Sequence, residues 1–154
     1  MATEIERKFL VNADALPELS TGQHIVQGYI PTADKTAVRI RIKRDQAWLT
    51  IKGANTGMSR LEFEYPIPLT DAEQMLQQLC TGGVIDKHRY EIEHQGFVWE
   101  LDIFAGNNQG LIVAEVELSD ETQQPALPNW ASSEVTNDAR YYNSNLMQHP
   151  FKDW

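Results

Sequence analysis

The stretch Glu4-Ile5-Glu6-Arg7-Lys8-Phe9 sets two carboxylates and an ammonium at every second position, with Ile5 and Phe9 on the opposite parity. In a β-strand, residues i and i+2 share a face. The chain therefore opens with a strand that is ionic on one side and largely apolar on the other. The same grammar returns further along. Arg39-Ile40-Arg41-Ile42-Lys43 and Lys87-His88-Arg89 repeat it with bases; Glu62-Phe63-Glu64, Glu100-Leu101-Asp102 and Glu115-Val116-Glu117 repeat it with acids. Charge paired on one face, strand after strand, describes a site built by a whole sheet.

Working outward, alternation predicts strands over 2–11, 24–31, 37–44, 46–53, 60–68, 85–94, 97–104, 111–119 and 133–136. His94-Gln95-Gly96 and the Gly-rich run 105–110 read as hairpin connections. One helix interrupts the meander. Thr70-Asp71-Ala72-Glu73 has the form of a capping box, Met75, Leu76 and Leu79 supply an apolar stripe, and Gly82-Gly83 is the expected stop. A second helix is expected from Thr136 or Asn137 through Leu146, and a short turn within 13–19; 53–59 and 119–130 read as loops.

The chain has 154 residues, 42% hydrophobic and 23% charged, which fits one globular domain over 1–154. No apolar run reaches the length of a membrane span, and no basic-then-apolar signal pattern opens the chain. The lone Cys80 excludes an intramolecular disulfide, so cytoplasm is the expected compartment. A net charge of −9 argues against a nucleic-acid partner. Yet Lys8, Arg39, Arg41, Lys43, Lys52, Lys87 and Arg89 all fall on the candidate charged faces. Bases gathered in an acidic chain point to a small, highly anionic ligand.

Two geometries fit this pattern: a sheet with its charges in water, or a closed barrel with its charges lining the lumen. The paired positions are almost purely ionisable, and each strand tends to one sign. Like charges side by side are unfavourable unless something neutralises them. Acids and bases on adjacent strands, a divalent cation or a polyanion can each do so. Carboxylates hold hard divalent cations and Arg and Lys hold phosphate oxygens. A lumen with both suits a metal–polyphosphate complex.

These segments, from Glu4-x-Glu6-x-Lys8 through Arg39-x-Arg41, Thr50-Ile51-Lys52-Gly53, Arg60-x-Glu62-x-Glu64, Lys87-x-Arg89, Glu100-x-Asp102 and Glu115-x-Glu117 to Arg140-Tyr141-Tyr142-Asn143-Ser144, resemble the CYTH superfamily of triphosphate tunnel metalloenzymes. The likeness runs in order over nearly the whole chain. It implies an α+β, mostly β fold: a closed eight-stranded antiparallel barrel with a charged lumen and a few helices packed outside. It implies a cytosolic, often homodimeric enzyme using Mg²⁺ or Mn²⁺. Members of this size resemble inorganic triphosphatases, which hydrolyse tripolyphosphate to pyrophosphate and phosphate. Adenylate cyclisation and thiamine or nucleoside triphosphate hydrolysis on the same scaffold stay open, as does a non-catalytic polyphosphate binder.

The resemblance and the residue types together assign metal binding to Glu4, Glu6, Glu115 and Glu117, with Glu62, Glu64 and Asp102 sharing a second ion or orienting water. Substrate binding falls to Lys8, Arg39, Arg41, Lys52, Lys87 and Arg89, and the catalytic set is Lys8, Glu64, Lys87 and Asp102. Tyr29 is balanced between the tunnel and packing. Trp48 is weighed as a stacking platform but reads better as packing. His24, His88, His94 and His149 show no ligand spacing, Cys80 is expected buried and inert, and Tyr141 and Tyr142 are expected to dock the last helix.

Overall fold

The alternating segments become strands, nine among the described residues: β1 (Thr3–Val11), β2 (Gln23–Ile30), β3 (Ala37–Lys43), β4 (Gln46–Lys52), β5 (Ser59–Ile67), β6 (Val84–His94), β7 (Phe97–Phe104), β8 (Ile112–Glu117) and β9 (Ala131–Glu134). Helices α1 (Leu69–Gln78) and α2 (Asn143–Gln148) complete the fold. The computed structural model describes residues 3–154, so Ala2, expected in the first strand, lies outside the described residues.

The strands run antiparallel in the order β5-β4-β3-β2-β6-β7-β8-β1, and β5 returns to pair with β1 through Thr3↔Leu61, Glu4↔Arg60 and Ile5↔Ser59. That pairing closes an eight-stranded barrel. β9 continues alongside β1 beyond the closure, with Phe9↔Glu134 and Val11↔Ala131. At the β6–β7 hairpin Gln95 and Gly96 take φ of 47° and 85°, the left-handed pair that a two-residue turn between twisted strands needs.

Directly paired residues of neighbouring strands share a face. The registers Lys8↔Glu115, Arg89↔Asp102 and Lys52↔Glu62 therefore put the ionic parity of each strand on the same, inner side. The outer parity is covered in two places. Over β2–β4, Ala72 of α1 and Cys80 just beyond its end pack against Ile40 and Ala47. The helix's approach requires Gly28, where a Cβ would sit 2.8 Å from Cys80 Cβ. Over β1, β7 and β8, Trp130 in the loop before β9 closes a cluster of Phe9, Trp99, Leu101, Ala114 and Val116; Trp99 stands edge-on to Trp130 at 5.6 Å between ring centroids.

The inner face is not ionic throughout. Leu10, Ile85, Phe104 and Val113 share parity with Lys8, Lys87, Asp102 and Glu115, and they meet Tyr141, Leu146, Met147 and Phe151 from the C-terminal segment. The two helices thus divide: α1 lies outside the barrel, while α2 and the turns around it plug one end of the lumen with an apolar cluster.

Both helix starts differ from the expected ones. The capping box does not form; Pro68, extended at φ −60° and ψ 141°, is the N-cap, with no side-chain cap bond. Proline's fixed φ sets the entry two residues earlier, so Thr70 is already inside the first turn. The helix also stops before the glycine pair, at Gln78. The second helix breaks into a short turn over Ala139–Tyr141, capped by Asp138, and α2 proper, because Tyr142 is extended between them. That break lets Tyr141 enter the apolar plug while Tyr142 faces the lumen. Among the described residues no helix is long and apolar enough to cross a membrane.

Candidate active site

The ionic part of the lumen encloses a cavity of about 270 Å³. β1 supplies Glu4, Glu6 and Lys8; β3 Arg39 and Arg41; β4 and β5 Lys52, Glu62 and Glu64; β6 Arg89; β8 Glu115 and Glu117. Every residue assigned a role from the sequence lines it except Lys87 and Asp102. Those two are fully buried beside it, Lys87 Nζ donating to Asp102 Oδ2 at 2.7 Å. Arg89, which does line the cavity, donates to the same carboxylate through Nε at 2.7 Å and Nη2 at 2.8 Å.

The cations sit deep. The side chains of Arg39, Lys8, Lys52 and Arg89 are 4–11% exposed, against 22% for Glu62, 38% for Glu100 and 43% for Glu64. The more exposed acids stand toward the rim, while Glu4 and Glu115, 13% and 10% exposed, lie among the cations.

Charge coupling sorts the acids. Burial, then the neighbouring Glu115 and Glu4, push the Glu6 carboxyl well above the ordinary range. Burial and a hydrogen bond with Glu62 raise Glu4 against the pull of Lys52 and Arg60, and burial, Glu4 and Glu100 raise Glu117. Glu115 moves the other way. Burial opposes its charge, but Lys8 and Arg89 hold it well below its usual value. Asp102 is similarly kept at about 2: burial disfavours its charge, and Arg89 and Lys87 outweigh that. Lys87 is pushed down to about 7 because burial outweighs Asp102, with Arg89 and Arg41 adding repulsion. Lys8 stays a firm cation. Burial opposes it, but Glu115, Glu6 and Asp102 more than compensate, and Nζ donates to the Tyr141 carbonyl at 3.1 Å.

Acids whose carboxyls are raised by burial and mutual repulsion are the groups a divalent cation relieves. Glu4, Glu6 and Glu117 have that character and share the cavity. Among the described residues, no three His, Cys, Asp or Glu side chains converge as a ready metal cage. That donor set suits an ion which takes one or two carboxylates and fills its shell with water and substrate oxygens, as Mg²⁺ does.

The lining includes residues the strand pattern did not single out. Arg60 shares parity with Glu62 and Glu64, so alternation could have found it; Arg60 Nε lies 3.7 Å from Glu4 Oε1. Asn55, Gly57 and Met58 come from the β4–β5 loop, where no local signal marks them; Thr136, Tyr142, Asn143 and Ser144 come from the plug, the last three within the segment that carries the family resemblance but without strand alternation to point them inward. Tyr142, expected to dock a helix, instead faces the cavity, with Lys8 Nζ 5.8 Å from its ring centroid. Tyr29 also lines the cavity. Trp48 does not, and packs under Lys43. His24 and His88 stack on each other away from the site.

The CYTH domain family matches residues 2–149. An inorganic triphosphatase of Acetivibrio thermocellus is 47% identical over 154 residues, spanning 100% of this chain and 99% of the relative. One from Nitrosomonas europaea is 40% identical over 151 residues, 94% of this chain and 96% of the relative. A solved inorganic triphosphatase structure superposes with a TM-score of 0.68 at 36% identity, covering 96% of both chains.

Proposed function

The chain belongs to the CYTH domain family, and from that premise we propose that it hydrolyses inorganic tripolyphosphate to pyrophosphate and phosphate inside its barrel. The observation that carries this reading is the arrangement of one cavity: buried cations and mutually repelling carboxylates share the same lumen. Relatives at 47% and 40% identity, each an inorganic triphosphatase, support the choice of reaction.

Phosphoryl transfer asks a protein for positioning and charge rather than covalent chemistry. Lys8, Arg39, Arg41, Lys52 and Arg89 hold the phosphate oxygens, and their burial strengthens each contact. Lys8 is a catalytic donor to a phosphate oxygen, its ammonium fixed in position on the cavity wall by Glu115 at 3.5 Å and the Tyr141 carbonyl at 3.1 Å. Glu64 Oε2 accepts from Thr50 at 3.0 Å; its other oxygen remains to orient the attacking water. Lys87 and Asp102 contribute by holding Arg89.

Mg²⁺ or Mn²⁺ is the expected ion, with Glu4, Glu6, Glu115 and Glu117 as the candidate carboxylates from which it would draw one or two, and Glu62, Glu64 and Asp102 those that would share a second ion or orient water. When bound, the metal supplies charge neutralisation on the phosphate oxygens and a more acidic water. The proposal treats residues 1–154 as one cytoplasmic domain and includes a homodimer as its assembly. Adenylate cyclase or thiamine triphosphatase chemistry would need a surface for an organic ring; the aromatic side chains on the described lining are Tyr29 and Tyr142.

The test is phosphate release from tripolyphosphate, ATP and thiamine triphosphate with Mg²⁺, Mn²⁺ or EDTA, with cyclic AMP followed in the ATP reaction. Metal-dependent release from tripolyphosphate, well above the other two, is the expected result. Cyclic AMP formation, or tight binding without turnover, would overturn it.

A further inference from the structure

Four arginines face the cavity and are held by different chemistry; Arg60 lies beside a carboxylate, Glu4, at 3.7 Å. Arg89 is gripped by a carboxylate, Asp102. Arg39 Nη2 donates to Thr50 Oγ1 at 3.2 Å and Glu64 Oε2 at 3.5 Å. Arg41 donates through Nε to an amide, the Oε1 of Gln27, at 2.8 Å, and has no carboxylate partner among the described residues. Gln27 stands directly opposite Arg41 in the β2–β3 pairing and is 0% exposed. It lies behind the lining rather than on it. Its Nε2 is buried without a partner, and so is the Nε of Arg39 two residues from Arg41.

Burying a charge without a counter-charge is costly, and removing Arg41's charge by pairing it would stabilise the fold. Burial, then repulsion from Arg39 and Arg89, already pushes the Arg41 guanidinium down to about 9. A glutamate in place of Gln27 would accept the same hydrogen bond and offset that repulsion. It would also neutralise the cation before any substrate arrived. An amide fixes the fork through one bond and leaves its charge unspent.

Resting on the triphosphatase reading, we propose that Gln27 is a positioning residue for substrate binding: a neutral clamp that orients Arg41 while reserving its positive charge for a phosphate oxygen. The unpartnered donors on Gln27 and Arg39 fit the same role, since the inner wall here carries more hydrogen-bond donors than the protein satisfies.

The experiment compares wild type, Gln27→Glu and Gln27→Met by thermal melting, calorimetric titration with tripolyphosphate in EDTA, and steady-state kinetics with Mg²⁺. Gln27→Glu should melt at or above the wild-type temperature, yet bind tripolyphosphate roughly tenfold or more weakly, with KM rising more than kcat falls. Gln27→Met, which removes the acceptor without adding charge, should raise KM less and lower kcat through a misplaced Arg41. Stability and binding moving in opposite directions in Gln27→Glu is the signature a merely structural residue would not produce. Wild-type affinity in Gln27→Glu, binding losses that simply follow melting losses, or failure of both variants to fold would overturn the proposal. Wild-type protein that neither binds nor cleaves tripolyphosphate would instead refute the function on which it rests.

Discussion

Replacing Asp102 with Asn separates two roles that its position in an acidic pair could serve. In the structure Asp102 is 1% exposed and receives three short bonds, from Lys87 Nζ and from Nε and Nη2 of Arg89. Asn keeps the shape and one acceptor but strands two buried cations; Arg89 retains Glu100 at 3.2 Å, and Lys87 retains no acid of comparable proximity. Breaking a buried pair from one side costs about 3–5 kcal/mol, and the retained acceptor argues for the lower end. At about 3 kcal/mol, a chain of this size should lose roughly 6–12 °C in Tm.

The loss should depend on pH. Lys87 is held at about 7, below its ordinary 10.5, so between those values the folded state binds fewer protons than the unfolded state. Stability from this group therefore climbs as pH rises through that window. Without Asp102, Lys87 moves lower still, and the penalty for protonating it is felt most below pH 7. Melts followed by circular dichroism at pH 6 and pH 9 should show the larger gap from wild type at pH 6. A metal-ligand role for Asp102 makes the opposite forecast, because neutralising one member of a repelling acid cluster stabilises the metal-free protein. A Tm unchanged or raised at pH 6 would refute the buried-pair argument.

The same logic with the reverse sign applies to Glu6. Its raised carboxyl means the folded state binds extra protons above 4.5, so its stabilisation fades as pH rises through the folded value. Glu6→Gln should therefore hold or raise Tm at pH 8 while weakening Mg²⁺ binding in calorimetry; a marked drop in Tm would count against it. Gly28→Ala tests the outer packing. The new Cβ would meet Cys80 Cβ at 2.8 Å and Leu76 Cδ2 at 3.0 Å, so denaturant unfolding should show a loss of about 1–3 kcal/mol, and a neutral result would mean that α1 is free to shift.

Much of this molecule is legible in its alternation. Glu4, Glu6 and Lys8 share a face in any strand, and every paired-charge segment from Arg39 to Glu117 did become one. Helix ends were less readable. Thr70 and Glu73 satisfy a capping pattern that Pro68 pre-empts by starting the helix two residues earlier. Tyr142 was misjudged because a single extended residue between two turns redirects its ring, and no sequence period announces that break.

Taken alone, the order of residues determined which side chains share a face, because strand geometry makes parity a local property. It thereby named nearly all of the charged lining. Only the tertiary structure decided which way that face points and how far each charge reaches. Closure of β5 onto β1 turns it inward, and the C-terminal plug fills one end with apolar side chains. Register then sets Asp102 opposite Arg89 and within hydrogen-bond reach of Lys87 behind the wall, and leaves Arg41 to an amide. These outcomes rest on contacts between residues far apart in the chain, where burial and the sum of neighbouring charges set the balance.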